Sequence, residues 1–401
     1  RPAAQLLLDD VARRVADWDL APTAALRVLF HGMALARSGA LPTPEALDAR
    51  LASDPAWGLA PVTLAPRTLE DTATALTALG RDALATLPEE LLGALHERRL
   101  AGTDRARRKH GGVHYTPEDV VAHLVDATLG EALAQGEVRS VLDPACGGGA
   151  FLLAALRRLV ATGVPGRVAL SRMAGVDVDV EAVDVTRMAL LLASGARSDG
   201  GPPIDLGSIV VSGNALLDPG VLSPARLAEL EAIDPSWTRP LAWSTAFPTQ
   251  HAEGGFDVVL ANPPYVSYAG REGASLPDVI RKTVVPRFAS RRWPSLHGMF
   301  VERAVRLAHP TRGRVGLVLP DQVGHLAGYE PVRAVAAEAG ITEVRYWGED
   351  VFDAVTPVLT LVLHRGHTGD ARAVDARGAT SELPRLSGSS TWRRSPLSAL
   401  L

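Results

Sequence analysis

Four consecutive residues, Asn262, Pro263, Pro264 and Tyr265, have the clearest capacity for chemistry, and they follow an apolar run at residues 256–261. Proline lacks an amide hydrogen and restricts φ, and the residue before a proline is driven to an extended conformation. The turn therefore presents the Asn262 side-chain oxygen and the Pro263 carbonyl as two acceptors for one conjugated amine. Such acceptors direct the amine lone pair towards an electrophile, and Tyr265 can stack on an attached ring, including a base flipped from a duplex.

A glycine-rich turn follows another predicted strand in the segment VLDPACGGGAFLL. Its backbone can approach a ligand closely at the carboxyl end of the strand, but Leu152 stands where the dinucleotide fingerprint needs glycine. Asp143 at the strand tip would repel a pyrophosphate and attract an ammonium group. We therefore expect a methionine-type ligand, the alternative being a tight turn whose glycines serve packing alone. The candidate contacts are Asp143, Ala145, Gly147 and Gly149.

Polar residues also end the next two predicted strands. Asp177 ends MAGVD and is placed to accept both hydroxyl groups of a ribose. Asn214 follows SIVVSG and can accept from and donate to an adenine edge. Because these residues come in series along one edge of the predicted sheet, they indicate a cofactor that contains adenosine.

The segment GGVHYTPEDVV predicts a helix start, with Thr116 as the cap, Pro117 in the first turn and Asp119 at the capping-box position. An ordinary helix start satisfies this pattern completely. The functional interpretation adds that a helix amino terminus can hold a carboxylate, with Tyr115 and Thr116 nearby to position it. Tyr115, Thr116 and Pro117 are therefore candidate cofactor-binding residues.

The elements that must position these residues form an α/β pattern. Residues 1 to about 100 predict helices, and strands alternate with helices from residue 112. Seven strands are expected, starting near residues 140, 173, 208, 256, 314, 342 and 358. The last two are joined by a connection too short for a crossover helix, so they must pair antiparallel in an otherwise parallel sheet. The predicted domains are a helical one at 1–100, a Rossmann-like α/β one at 101–366 and an irregular tail at 367–401.

Composition limits the class of protein. Of the 401 residues, 47% are hydrophobic and 21% are charged, which indicates a globular core rather than disorder. We find neither a secretory leader nor an apolar run long enough to span a bilayer, so we expect a cytoplasmic protein that makes no membrane contact. The single cysteine, Cys146, cannot form an internal disulfide. The net charge of -4 argues against a nucleic-acid binder, for which an overall basic surface is expected, but the local distribution of charge matters more than the sum. No metal site is predicted.

Three motifs, HYTP, DPACGGGAF and NPPYV, resemble in this order the cofactor-site, glycine-loop and catalytic motifs of one enzyme family. The family is the adenine-specific DNA methyltransferases of the gamma arrangement, including those fused into type IIG restriction enzymes. The resemblance extends from about residue 88 to 366, because ELLGALHERRL and WSTAFP are also similar to that group. It implies S-adenosylmethionine as the cofactor, with its methionine part at Asp143 and the glycine loop, its ribose at Asp177 and its adenine at Asn214.

Three positions need comment against the family pattern. Asn214 stands where an acid is common, and His297, in LHGMF, stands where an aromatic residue is more usual. Phe352, in EDVFDAV, is similar to the second aromatic that holds a flipped base, although an ordinary core position explains it equally.

The resemblance implies methyl transfer to the exocyclic amine of a flipped adenine in duplex DNA, within a restriction-modification or phage-defence system. Relatives read sequence with a target-recognition domain after the catalytic domain. None is visible after residue 366, so we expect it to be missing or supplied by another subunit. Neither Lys109 nor Lys282 has an acid two positions before it, so no fused nuclease of that pattern is predicted in these residues.

Two basic stretches have open interpretations. RKTVVPRFASRRWP, residues 281–294, suits a groove for a nucleic-acid backbone with stacking by Phe288 and Trp293, or else a solvated loop with a packed tryptophan. The connector HERRLAGTDRARRKHGG is either a phosphate-contacting segment or a solvated linker.

Other functions fit parts of the pattern. A protein glutamine methyltransferase acting on a translation factor would share the NPPY loop, because the glutamine amide is also a conjugated amine; HYTP and the basic stretch at 281–294 argue against it. A non-catalytic DNA-binding module is a third interpretation, and RNA could replace DNA because the amine chemistry is the same.

Overall fold

The computed structural model describes residues 2–103, 116–136, 138–197, 199–233, 239–269, 278–348, 357–383 and 391–392. Two of the candidate site residues, Tyr115 and Phe352, lie outside these ranges, as does most of the basic connector. None of the helices in the described part of the chain has the length and apolar character needed to cross a membrane.

Helices make up the first hundred residues, as the sequence predicts, and alternate with strands after that. The α-helices up to the third strand are α1 (Pro2–Ala16), α2 (Pro22–Arg37), α3 (Pro44–Ala52), α4 (Pro66–Leu79), α5 (Arg81–Thr86), α6 (Glu90–Thr103), α7 (Glu118–Val125), α8 (Glu131–Gln135), α9 (Ala150–Ala161), α10 (Gly166–Ser171) and α11 (Val180–Ser194). Those that follow are α12 (Pro224–Ile233), α13 (Trp243–Ala246), α14 (Pro248–Ala252), α15 (Asp278–Thr283), α16 (Leu296–Leu307) and α17 (Glu330–Ala339). A π-helical turn, Asp126–Gly130, joins α7 to α8.

A single mixed sheet contains nine strands in the order β3-β2-β1-β4-β5-β7-β6-β8-β9. The strands are β1 (Val141–Asp143), β2 (Met173–Asp177), β3 (Val210–Ser212), β4 (Val258–Ala261), β5 (Arg314–Pro320), β6 (Ile341–Gly348), β7 (Val358–His364), β8 (Ala371–Val374) and β9 (Thr380–Leu383). The pairs β1–β4 and β4–β5 are parallel, with Val259 opposite Val315 in the second pair. The predicted Rossmann-like fold is therefore confirmed.

The seven predicted strands are all present, and the antiparallel pairing of the last two is confirmed. β7 lies between β5 and β6 and runs antiparallel to both, with Leu317 opposite Leu361. Each residue of β7 from Val358 to Leu363 is buried. A strand buried on both faces between two neighbours explains why VLTLVL, residues 358–363, is continuously apolar apart from one threonine.

The sheet extends further than the sequence predicts, since the supposedly irregular tail contributes two strands. β8 pairs parallel with β6 and antiparallel with β9, so that Val344 lies opposite Ala373. The count of seven strands and the irregular character of residues 367–383 were therefore wrong. Both strands have only four residues, and β9 has one buried side chain, so their local pattern is too short to distinguish strand from loop.

The chain divides into two compact units. The first consists of Arg1–Thr103, Cys146–Gly175 and Asp179–Val211, and the second of Asp104–Ala145, Val176–Val178 and Ser212–Leu401. The expected boundary near residue 100 stays a prediction, because these units do not follow a single cut in the chain. β2 and β3 each have residues in both units.

The first unit has an apolar core and a buried ionic cluster. Leu29, Phe30 and Met33 of α2 are fully buried. Asp54 has no exposed surface and accepts from Arg27 at 2.9 Å, and His31 Nε2 lies 3.0 Å from the same carboxylate. Burial lowers the pKa of His31 to about 4, so this ring is neutral at physiological pH.

Candidate active site

Five residues, Asn262 to Val266, leave the end of β4 and are called the acceptor loop. All four residues of β4 are fully buried, and the strand pairs in parallel with β1 on one side and β5 on the other. Within the loop, the Val266 amide donates to the Pro264 carbonyl at 2.9 Å. The acceptor loop therefore starts from a buried strand that is held by hydrogen bonds on both sides.

The exit of the acceptor loop is tied to the start of α16. The Leu296 amide donates to the Val266 carbonyl and the Tyr268 amide donates to the Pro294 carbonyl, both at 2.8 Å. Ser295 caps α16 by accepting from the Gly298 amide at 3.2 Å. Both ends of the loop are thus held by backbone hydrogen bonds to ordered elements.

The Asn262 side chain is oriented by a residue from the HYTP motif. Its Nδ2 donates to Thr116 Oγ1 at 3.0 Å, and Thr116 is buried. The prediction that Thr116 caps the next helix was wrong, because Pro117 occupies the cap position of α7 and no side chain caps it. The threonine hydroxyl accepts from the asparagine instead. This bond uses the donor end of the amide and makes Oδ1 the end suited to accept from a substrate amine.

The Tyr265 ring is supported by a buried histidine and a second tyrosine. The ring centroids of Tyr265 and His297 are 6.3 Å apart at an interplanar angle of 84°, and His297 Nε2 lies 2.7 Å from the Tyr329 hydroxyl. Burial lowers the pKa of His297 to about 3 and raises the pKa of the Tyr265 hydroxyl, so both groups are neutral. A neutral imidazole thus takes the place of the usual aromatic ring. The sequence does not reveal Tyr329, because no local pattern links it to the loop.

Asp143 ends β1 as a buried acid. The Ala145 amide donates to its Oδ1 at 3.0 Å, and the side chain is 2% exposed. The pKa of Asp143 is raised to about 8, chiefly by burial and also by the nearby charge of Asp177, while the bond from Ala145 opposes the shift. The carboxyl therefore keeps its proton at neutral pH. An ammonium group beside it would lower that pKa and form a buried ion pair.

Asp177 and Asn214 end the neighbouring strands β2 and β3, as the sequence predicts. The Gly213 amide donates to the Asp177 carbonyl at 2.8 Å, which fixes the backbone of one strand end against the other. Asn214 Oδ1 accepts from the Leu216 amide at 3.0 Å. Because Oδ1 serves this local turn, Nδ2 is the amide atom suited to a ligand.

The glycine loop, Gly147 to Gly149, belongs to the first unit. Gly147 and Gly149 have φ angles of 48° and 88°, which favour glycine, and no atom lies within 4 Å of a Cβ built on Gly147. The Thr186 hydroxyl donates to the Gly147 carbonyl at 2.7 Å. Gly148 is so close to Gly93 of α6 that a Cβ on it would lie 2.8 Å from the Gly93 Cα. The loop conformation thus depends on glycines for both φ and packing.

The donor set of the second unit fits S-adenosylmethionine. A buried carboxyl at Asp143 suits an ammonium group, a half-buried carboxylate at Asp177 suits a diol, and the Asn214 amide suits an adenine nitrogen. Across the ranges that the structure describes, no group of three His, Cys, Asp or Glu side chains could hold a metal ion. Cys146 is buried in the turn, which agrees with a packing role.

Comparison with known proteins agrees with this geometry. Residues 171–352 match the family model of the Eco57I restriction-modification methylase. A curated relative from Streptomyces coelicolor, the adenine-specific methyltransferase PglX, is 32% identical over 186 residues, which cover 40% of this chain and 15% of that protein. The match therefore spans less than a sixth of the relative's length. The resemblance to adenine-specific methyltransferases of restriction-modification type is confirmed.

Solved structures confirm the fold. A Listeria monocytogenes protein described as a class I S-adenosylmethionine-dependent methyltransferase superposes with a TM-score of 0.54 and 14% identity, covering 93% of each chain. The type IIL restriction-modification enzyme MmeI in complex with DNA gives a TM-score of 0.56 and 13% identity, covering 96% of this chain and 60% of that one. At such low identity these likenesses show a shared methyltransferase fold and nothing more specific.

Proposed function

We propose that this protein transfers a methyl group from S-adenosylmethionine to the exocyclic amine of adenine in DNA, as the modification component of a restriction-modification or phage-defence system. The observation that carries the proposal is the bond from Asn262 Nδ2 to Thr116, in which the donor end of the amide is used and Oδ1 is the acceptor end. The family match and the adenine-specific relative support the choice of adenine. A cytoplasmic site of action is part of the proposal.

The acceptor loop would act on the nucleophile. S-adenosylmethionine supplies an electrophilic methyl group when it is bound. Asn262 Oδ1 and the Pro263 carbonyl would each accept a hydrogen bond from one N–H group of the amine. These two bonds would draw the nitrogen lone pair out of conjugation with the ring. Asn262 and Pro263 would hold the amine while its lone pair takes up the methyl group and the thioether product departs, and the methylated amine would then lose one proton to water.

Recognition of the base would fall to aromatic side chains. Tyr265, held by the neutral His297 ring, would stack on an adenine flipped from the duplex. Phe352 stays a predicted second stacking partner. Cofactor contacts are proposed for Asp143, Ala145, Asp177 and Asn214 in the second unit, and Tyr115, Thr116, Pro117, Gly147 and Gly149 stay predicted contacts.

The test compares methyl transfer with cofactor binding. We expect Asn262→Ala to lower the rate roughly 10²- to 10³-fold, the usual effect of losing one preorganised hydrogen-bonding group. Tyr265→Ala should cost about 1–3 kcal/mol of base stacking, whereas Tyr265→Phe keeps the ring and most of the activity. Calorimetry should show unchanged S-adenosylmethionine binding in all three variants. The assay follows labelled methyl into DNA, with the recognition domain or subunit supplied.

The outcomes separate the candidate functions. Label recovered as N6-methyladenine supports the proposal. Label found on a translation factor and never on DNA would support the glutamine methyltransferase instead. A wild-type chain that fails to bind S-adenosylmethionine would point to a non-catalytic module.

A further inference from the structure

A cavity of 320 Å³ in the second unit has no role in the proposed methyl transfer. It lies among the residues after β3, the end of α15 with the turn that follows it, and the second half of α16. We call it the arginine pocket, and its lining consists of Leu216, Leu217, Asp218, Leu222, Thr283, Val284, Arg287, Arg303 and Arg306. Three arginines face one aspartate there, so the lining has a net positive charge.

Arg303 is the most buried of the three arginines. Its Nη2 donates to the Leu216 carbonyl at 3.0 Å, and the guanidinium lies 5.6 Å from the centroid of the Phe288 ring. Its buried Nε has no hydrogen-bond partner among the described residues. The pKa of Arg303 is lowered to about 10, chiefly by burial and also by the charge of Arg306, against the opposing effect of Asp218. Arg303 therefore holds a buried positive charge that the surrounding acids do not fully balance.

The other two arginines stand at the rim and are exposed. Arg306 forms an ion pair with Glu302 and lies 5.5 Å from the same Phe288 ring, and one of its nitrogens donates to the Arg287 carbonyl at 3.1 Å. The Arg287 Nε donates to the Thr283 carbonyl at 2.8 Å. Backbone carbonyls and the Phe288 ring thus hold three arginines in the lining of one small cavity, and guanidinium groups bind phosphate with paired N–H donors.

The two aromatic residues of the 281–294 stretch have different surroundings. Phe288 is 3% exposed and supports Arg303 and Arg306. Trp293 packs on Tyr329 with ring centroids 6.4 Å apart. Stacking on a base is therefore wrong for the buried Phe288, while for the half-buried Trp293 the choice between stacking and packing stays a prediction. The exposed basic residues remain at the surface: Arg281, Lys282, Arg287, Arg291 and Arg292.

The same stretch connects the arginine pocket to the acceptor loop. It starts at α15 beside the pocket and ends at Pro294, whose carbonyl accepts from Tyr268 just after the loop. The exposed basic residues of the stretch thus lie on the chain segment between the pocket and the acceptor loop, where a DNA strand with one base at the loop would meet them. A phosphodiester is the DNA group that would pair with Arg303 and the two rim arginines, while Leu216 and Val284 would contact the adjoining sugar.

We propose that the arginine pocket seats a phosphodiester of the DNA backbone, with Arg303 at its base and Arg287 and Arg306 at its rim. The inference rests on the proposed function, because it takes DNA as the substrate. Phosphate contacts of this kind orient a duplex and do not read its sequence.

The test measures the salt dependence of DNA binding by fluorescence anisotropy on the full chain with its recognition domain or subunit. Arg303→Met removes the charge and keeps an apolar stem against Phe288. We expect roughly five- to twentyfold weaker binding at low salt and a salt slope smaller by about one, independent of DNA sequence. The DNA affinity and the salt slope of Arg303→Lys should lie between those of the wild type and those of Arg303→Met. Arg287→Met, at an exposed position that should not disturb folding, should change the slope in the same direction.

Arg377→Met is the matched control, because it removes the same charge from the exposed turn between β8 and β9. It should leave the salt slope close to that of the wild type. If Arg303→Met and Arg287→Met both bind DNA with wild-type affinity and slope, the pocket does not hold a backbone phosphate. If inorganic pyrophosphate binds the wild type, is lost in Arg303→Met and leaves DNA binding unchanged, the occupant is a small phosphate compound and the DNA assignment is overturned.

Failure of the proposed function would look different. In that case labelled methyl never reaches DNA, whatever the salt slopes show. A slope that changes with Arg303 while methyl reaches no base would keep the phosphate pocket and remove the methyl transfer. A wild-type chain that does not bind DNA at all would overturn both.

Discussion

Asn262 shows how one side chain depends on a distant partner for its chemistry. An amide has a donor end and an acceptor end, and only the acceptor end can accept a hydrogen bond from a substrate amine. Thr116 accepts from Nδ2 at 3.0 Å and so selects the orientation. The threonine of HYTP therefore matters to the acceptor loop as well as to the cofactor-binding segment in which the sequence places it.

Asp143 predicts a link between pH, stability and cofactor binding. Its pKa is about 8 in the folded protein, against an ordinary value of 3.8. Between about pH 4 and 8 the folded state therefore keeps a proton that the unfolded state releases, and stability falls as pH rises through this window. We expect Asp143→Asn to flatten this part of the stability curve in urea unfolding from pH 4 to 8, and to weaken S-adenosylmethionine binding.

The expected ion pair between Asp143 and an ammonium group can also be tested by proton release when S-adenosylmethionine binds. Below pH 8 an ammonium group must displace the Asp143 proton, so calorimetry in buffers of different ionisation enthalpy should detect proton release on binding. Glu382→Gln removes an exposed acid of β9 and should change neither the pH dependence of stability nor the proton release on cofactor binding. Proton release that persists in Asp143→Asn would assign the titration to another group.

At the scale of elements, the close contact between α6 and the glycine loop stands out. Both belong to the first unit, and a Cβ on Gly93 would lie 2.9 Å from the Gly148 carbonyl oxygen. Helix α6 can therefore approach the loop only because neither residue has a side chain. Gly147 and Gly149, at positive φ, form the turn of the glycine loop, and α6 packs against this loop through Gly93.

Gly93→Ala tests this contact. Replacing glycine by alanine inside a helix normally stabilises it by about 1 kcal/mol. Here the new methyl group meets backbone, which cannot rotate away, so we expect a loss of roughly 1–3 kcal/mol in the free energy of unfolding. The measurement is urea unfolding of the full chain, followed by circular dichroism.

Gly32→Ala in α2 is a suitable control for the helix effect. A Cβ there would lie 2.6 Å from Leu76 Cδ2, the far end of a flexible side chain that can move. The substitution should therefore cost much less than Gly93→Ala. A Gly93→Ala protein more stable than the wild type would show that α6 shifts away from the loop without penalty.

At the scale of the whole molecule, the first unit relies on a buried ionic cluster in addition to its apolar core. Asp54 accepts from Arg27 at 2.9 Å and from Arg197 at 3.3 Å, and its pKa is lowered by the His31 bond and by both arginines against the effect of burial. Arg197 also lies 5.7 Å from the centroid of the Phe30 ring. One carboxylate thus joins a helix of the first hundred residues to the segment after α11.

Asp54→Asn should destabilise the first unit strongly. Removing the central anion takes the Asp54 charge from buried Arg197 and leaves Arg27 with the partly exposed Asp184, and breaking one partner of a buried pair costs about 3–5 kcal/mol. Asp184→Asn removes another carboxylate that accepts from Arg27 at 2.9 Å, but Asp184 is 21% exposed, so water should limit its cost. Thermal and urea unfolding of the two variants provide the comparison. Equal losses would mean that burial of Asp54 adds nothing.

Much of the fold and part of the candidate site follow from sequence-local physics. Proline geometry, glycine at positive φ and apolar runs act over a few residues, so the acceptor loop, the glycine loop and the seven strand positions could be predicted. The antiparallel pairing of β6 and β7 also followed, because a short connection permits no other arrangement. Relations that depend on distant residues could not be predicted in this way.

By itself, the sequence therefore determined which residues end the strands and what chemistry they could perform. Tertiary structure decided that Thr116 orients Asn262 instead of capping α7, and that His297 and Tyr329 support Tyr265. It also extended the sheet by β8 and β9 and gathered three arginines around one cavity. Each of these depends on hydrogen bonding, burial or charge between segments far apart in the chain, and these energies exist only once the chain has folded.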